Sequence, residues 1–224
     1  MQTMSRRSFL LASLGVASLC LAGCGSGASG AASTSAASAS AVPSSSASSC
    51  VTSASGEYAS GTHHATIEVE GYGAIKLELD ADVAPVTVAN FAKLAGEGFY
   101  DGLTFHRIIE GFMVQGGDPN GNGTGGSNEK IVGEFSDNGH PNSISHVRGT
   151  ISMARSQAYN SASSQFFIMQ ADTPNLDGQY AAFGHVTEGM DVVDVMCEAA
   201  RPTDNNGTIA AADQPRIASV KMDD

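Results

Sequence analysis

The stretch FHRIIEGFMVQGGD, residues 105–118, decides the reading of this 224-residue chain. Phe105, Ile108 and Ile109, then Phe112, Met113 and Val114, form two short apolar runs of the kind that make buried strands, and Gly111 separates them. A hairpin or bent strand pair is expected. Arg107 and Gln115 fall inside these runs, where a long polar side chain must either snorkel to water or face a cavity. That conflict between residue type and setting marks a site.

Upstream, Ile67 and Val69 alternate with Glu68 and Glu70, and beyond Gly71-Tyr72-Gly73 the residues Ile75, Leu77 and Leu79 alternate with Lys76 and Glu78. This is the pattern of a hairpin with one wet face. Pro85 opens a helical pattern in which Val88, Phe91, Ala92 and Ala95 share a face, closed by Gly96 or Gly98. Downstream, a second short helix is expected over residues 190–196, with Val192, Val193 and Met196 turned inward, and a last strand over residues 217–222. Many short, glycine-punctuated strands with two helices favour a mainly β fold, a closed antiparallel barrel rather than an open sheet.

Residues 1–23 read as a signal peptide: Arg6-Arg7 precede an apolar run over residues 9–22 that is too short for a spanning helix. The paired arginines, with Ser5 before and Phe9-Leu10 after, look like a twin-arginine signal for export of a folded chain; an ordinary signal with a basic start is the alternative. Leu21-Ala22-Gly23-Cys24 resembles a lipobox, so cleavage before Cys24 and its acylation are expected, anchoring the protein outside the cytoplasmic membrane. Residues 24–60 are mostly Ser, Ala and Gly with few large apolar side chains, a composition that cannot offset its ordering entropy, and read as a disordered tether. At about 5–6 Å times the square root of length it would span roughly 30–35 Å. One domain, residues 61–224, remains.

The net charge is −12, or −14 once Arg6 and Arg7 leave with the signal, which excludes a nucleic-acid partner. Cys20 leaves as well and Cys24 would be lipidated, leaving Cys50 in the tether and Cys197 at the end of the second helix; Cys197 reads as a small buried hydrophobe, with a disulfide to Cys50 an open alternative. His63-His64 lack companions at ligand spacing and read as a solvated linker end, so no metal is expected. GNGTGG, residues 121–126, lacks the Gly-Lys-Ser/Thr ending of a phosphate loop and reads as a turn-rich rim. His106 reads as structural, and no G-x-S-x-G elbow supports a hydrolase.

Four segments in order, residues 105–118 together with GTISMAR (149–155), SSQFFIM (163–169) and LDGQYAAFG (176–184), closely resemble the cyclophilins, the peptidyl-prolyl cis/trans isomerases. The resemblance covers roughly residues 64–222. It implies an eight-stranded antiparallel β-barrel capped by two α-helices, with Arg107 as catalytic arginine, Gln115 and Gln165 orienting it or holding the substrate carbonyl, and Phe112, Met113, Phe167 and Leu176 forming an apolar cup. Ala154 and Arg155 would pair with the peptide as an added strand, and Tyr180 would complete the substrate site. No cofactor is implied, the protein is expected to be a monomer, and the partners would be proline-containing segments of exported proteins. Four positions depart from the family pattern, the first being Glu110, where many members have proline. Asn175 stands where many members have tryptophan, Tyr180 where histidine is frequent, and Arg155 where asparagine is common, which would bias the site toward acidic peptides. The rival reading is a non-catalytic chaperone module that binds proline-containing loops.

Overall fold

A computed structural model describes residues 50–224. The expected signal peptide, Cys24 and most of the tether lie outside the described residues. Short strand β1 (Cys50–Val51) is followed by β2 (Thr62–Val69), β3 (Gly73–Asp80), α1 (Pro85–Gly96), β4 (Thr104–Ile109), β5 (Met113–Asp118), β6 (Lys130–Ile131), β7 (Thr150–Met153), β8 (Phe166–Met169), β9 (Ala182–Glu188), α2 (Met190–Ala199) and β10 (Ile217–Met222). Eight strands form one antiparallel sheet in the order β10-β2-β3-β9-β7-β8-β5-β4. Its ends meet at a seam rather than along a full ladder: Thr104 bridges Arg216, Phe105 N–H donates to Pro215 O, and Ile217 N–H donates to Leu103 O.

The alternation in β2 and β3 sends Ala65, Ile67, Val69, Ile75, Leu77 and Leu79 into the core while Glu68 and Lys76 stay wet. Helix α1 lays Phe91 against this interior, where its ring lies 5.2, 5.7 and 5.4 Å from those of Tyr100, Phe166 and Phe183. Such offset and edge contacts between large rings hold one arrangement of the sheet. Helix α2 runs three residues past the expected Met196, burying Val193, Met196 and Cys197, whose thiol burial pushes up to about 12.

Two expectations are corrected. Residues 50–60 belong to the domain: β1 pairs with β6 in parallel, and Val51, Ala54 and Tyr58 pack on the core. Three apolar side chains suffice because a surface beside α1 receives them, which composition does not reveal. His63 is no linker end but a buried residue of β2, with Nδ1 2.6 Å from Asp224 Oδ2 and Nε2 3.0 Å from Ser60 O. Burial works against its charge, but Asp224 and Ser60 O outweigh burial and raise its pKa. Cys50 and Cys197 are both free thiols.

The start of α1 has no side-chain cap of its own, with Ala84 at the capping position and Pro85 next. Buried Glu134, distant in sequence, supplies the cap: it accepts from Val86 N–H (3.0 Å), Thr87 N–H (2.8 Å) and Thr87 Oγ1 (2.7 Å). A carboxylate here satisfies orphan amides and complements the helix dipole. Glu134→Ala should therefore cost about 2–3 kcal/mol, and Glu134→Gln about 1 kcal/mol, in urea unfolding; a loss below about 0.5 kcal/mol for the alanine variant would contradict the cap.

Candidate active site

Strands β4 and β5 form the expected hairpin, with Arg107 opposite Gln115 and Ile109 opposite Met113. The pairing slips between Phe105 and Arg107, since Phe105 faces Gly116 while Arg107 faces the next residue back, Gln115. A bulge of this kind re-aims side chains. Phe105 and Ile108 enter the core, and Arg107 turns to the outer face, half-buried.

On that outer face lies a second apolar cluster, separate from the main core: Met113, Phe167 and Met169, with Ile109, Phe112, Ala154, Leu176 and Tyr180 packed against them. A cleft of about 420 Å³ opens over it, lined by Arg107, Phe112, Met113, Gln115, Phe167 and Leu176, with Ala154, Arg155 and Tyr180 at its side. Nine of the ten residues expected at the site thus share one cavity. The tenth, Gln165, lines an adjoining cavity.

Polar side chains hold the arginine. Arg107 Nη1 donates to Gln115 Oε1 (3.1 Å), Gln115 Nε2 to Gln165 Oε1 (2.9 Å), and Gln165 Nε2 to Gly125 O (2.8 Å). From the other side Arg107 Nε donates to Asn206 O (2.8 Å). Burial lowers the guanidinium's pKa, yet arginine stays charged at any working pH. The cleft therefore presents one fixed cation above an apolar floor.

Backbone pairing at Ala154 is narrower than expected, because its N–H already donates to Gln165 O (2.9 Å). Arg155 is pinned: Nε donates to Gln179 O (2.9 Å), Nη1 to Ser156 O (3.0 Å) and Gln157 O (3.3 Å), and its guanidinium lies 5.0, 5.2 and 4.8 Å from the ring centres of Phe135, Tyr159 and Tyr180. Asn175 is exposed and does not line the cleft. The glycine-rich rim is held by Asp118, which accepts from Asn120, Asn122 and Gly123 N–H groups. Burial opposes its ionisation, but these amides prevail and keep its pKa below the usual range.

The sequence reading missed several lining residues. Asn206 and Thr208 arrive on a turn closed by Asp204, whose Oδ1 accepts from both their N–H groups. The run Asp204-Asn205-Asn206-Gly207 announces a turn but not its address. His106 is buried beside the cleft, and neither ring nitrogen has a hydrogen-bond partner among the described residues.

A Ser-His-Asp arrangement does exist: His146 Nδ1 is 2.8 Å from Asp177 Oδ1, and Nε2 is 3.0 Å from Ser152 Oγ. Ser152 and His146 are fully buried, so no substrate reaches the hydroxyl, and hydrolysis is excluded at this group. Its place is beneath the cup, where the His146 ring stacks near Phe167 (6.0 Å, 19°) and Asp177 ties down the turn bearing Leu176.

Burial lowers the pKa of His146, and Asp177 only partly opposes it, so the folded protein holds the ring neutral. Unfolding then takes up a proton below about pH 6.5, the ordinary histidine value, and stability from this group falls as pH drops through that value. His63 acts in the opposite sense, so the informative quantity is a difference. The advantage of wild type over His146→Gln should shrink between pH 7.5 and pH 5; a pH-independent difference would contradict a neutral His146.

Residues 64–222 match the family model described as cyclophilin type peptidyl-prolyl cis-trans isomerase/CLD. The peptidyl-prolyl cis-trans isomerase of Synechococcus elongatus is 49% identical over 124 residues, covering 55% of this chain and 80% of that protein. Peptidyl-prolyl cis-trans isomerase B of Bacillus subtilis is 48% identical over 123 residues, 55% of this chain and 82% of the relative. Among solved structures, a Cryptosporidium parvum cyclophilin type isomerase superposes with a TM-score of 0.64 at 29% identity, over 73% of this chain and 99% of that one. A structure of that isomerase in the presence of the dipeptide Ala-Pro gives 0.63 at 30% identity, over 72% and 99%. With its motifs, its eight-stranded antiparallel sheet and its relatives in agreement, the chain belongs to the cyclophilin-type peptidyl-prolyl cis-trans isomerases.

Proposed function

We propose that this isomerase works by binding the twisted X-Pro amide more tightly than either planar isomer, with Arg107 donating to the proline nitrogen. Rotation faces a barrier of about 18–20 kcal/mol because twisting removes amide resonance. The twisted nitrogen becomes pyramidal and regains a lone pair, which a fixed cationic donor can reach. Selective binding of that state accelerates exchange without a nucleophile or a proton transfer.

The observation that supports this reading is Arg107 itself: held from two sides, through Nη1 and Nε, above a floor of Phe112, Met113, Phe167 and Leu176. Bringing exchange from tens of seconds to milliseconds is about 10⁴-fold, or roughly 5.5 kcal/mol. One charge-assisted hydrogen bond contributes about 1.5–3 kcal/mol. The apolar cup supplies the remainder, stripping water from the carbonyl and gripping the proline ring while the other side turns.

The first residues of the chain support a place of action outside the cytoplasm. Arg6-Arg7, the short apolar run and the lipobox-like Leu21-Ala22-Gly23-Cys24 support an enzyme lipid-anchored outside the cytoplasmic membrane and acting on proline-containing segments of exported proteins. Among the described residues, no helix is long and apolar enough to cross a membrane.

Two outcomes are expected. In exchange NMR of a short X-Pro peptide, Arg107→Ala should slow catalysed exchange by about two decades with the fold intact, since one lost transition-state contact of about 3 kcal/mol has that effect. Peptide binding with exchange no faster than in water, even for wild type, would favour the chaperone reading. Cys24→Ser should move the protein from the membrane fraction to the soluble fraction, and continued membrane retention would contradict the anchor.

A further inference from the structure

The cleft has a side chamber of about 240 Å³, sharing Gln115, Gly123, Thr124, Ala154 and Arg155 with the main cavity. Lys130, Ser156, Ser161 and Ser163 line this chamber and not the main cleft. Strand β6 fixes this lysine: Cys50 pairs with Lys130 on one side, and Ile131 N–H donates to Ala162 O on the other. Lys130 is thus set on a paired backbone, not on a free loop.

Charge is distributed unevenly around this chamber. Among the described residues nine lysines and arginines face 23 aspartates and glutamates. Lys76, Lys93, Arg148 and Arg216 each have a carboxylate within 4.0 Å. Five cations do not, and three of these five, Arg107, Lys130 and Arg155, line the cleft and its side chamber. Neither cavity is lined by any aspartate or glutamate. In so acidic a chain, three cations without an ion-paired carboxylate around adjoining cavities favour an anionic group on the substrate.

We propose that the side chamber between Arg155 and Lys130 selects peptides carrying an aspartate or glutamate close to the isomerised proline, with Lys130 as the specificity-determining residue. The inference rests on the isomerase reading only for the position of the proline. Arg155 contributes fixed charge: its Nε and Nη1 hold carbonyls, and three aromatic rings surround it, so it cannot swing to follow a ligand. Lys130 brings three rotatable donors on a flexible stem and is suited to the direct contact. Serine hydroxyls on the wall tolerate a carboxylate, and an extended peptide rising about 3.3 Å per residue reaches a neighbouring chamber within one to three residues.

The test uses the full chain and peptides with a single proline, carrying Glu, Gln or Lys one, two or three residues before or after it. Dissociation constants come from NMR titration, and exchange rates from the same samples. At one or two positions on one side, the glutamate peptide should bind roughly three- to tenfold tighter than its glutamine twin and the lysine peptide more weakly, the range for a half-exposed ion pair with a charge-assisted bond. The margin should shrink in high salt. Lys130→Glu should reverse the order of Glu and Lys peptides, a within-variant comparison that cancels any general change in activity. Equal affinities at every position, or an order untouched by Lys130→Glu, would overturn the proposal. Because affinity is read apart from turnover, a glutamate preference without accelerated exchange supports this inference and counts against catalysis alone.

Discussion

A guanidinium held above an apolar floor is the constraint on which the site depends. A half-buried charge is tolerated only when its donors are engaged, and here the engagement runs Arg107 to Gln115 to Gln165 to Gly125 O, with Asn206 O on the other flank. Each link comes from a different place: β4, β5, the approach to β8, the glycine-rich rim and the 204–208 turn. The register of the β4/β5 hairpin and its slip before Arg107 put the first two links opposite one another.

The same strands must serve two surfaces. Their inner face carries Phe105, Phe166 and Ile168 into the core, while the outer face carries Met113, Phe167 and Met169 into the cluster under the cleft. The second half of β5 leaves no room for side chains: a Cβ on Gly117 would sit 2.6 Å from Ser164 O, and its φ of +80° is strained for any other residue. Gly116 is similarly crowded, 2.9 Å from Thr104 O. The two glycines of QGGD thus let the hairpin and the strand beside it approach closely enough for Gln115 to reach Gln165.

Local pattern made much of this legible. Period-two alternation located β2 and β3, Pro85 and a helical stripe located α1, and the polar residues stranded inside residues 105–118 pointed to the cleft. What stayed hidden was long-range. Nothing near Glu134 says that it caps a helix that begins 49 residues earlier in the chain at Pro85, and nothing near Lys130 says that it lines the same chamber as Arg155. Residues 50–60 were read as tether because composition reports the cost of ordering a segment but not the groove waiting for it. His63 was misplaced for the same reason, its partner Asp224 being at the far end of the sequence.

The central claim, that the glutamine relay acts through Arg107, is tested most directly by a double-mutant cycle on catalysed X-Pro exchange with Gln165→Leu, Arg107→Ala and the pair. If Gln165 works by holding Arg107, its loss slows wild type by about tenfold, the effect of one hydrogen bond near 1.4 kcal/mol, and has no further effect once Arg107 is gone. Losses that multiply independently would contradict the relay and leave Gln165 as a separate contact to the substrate.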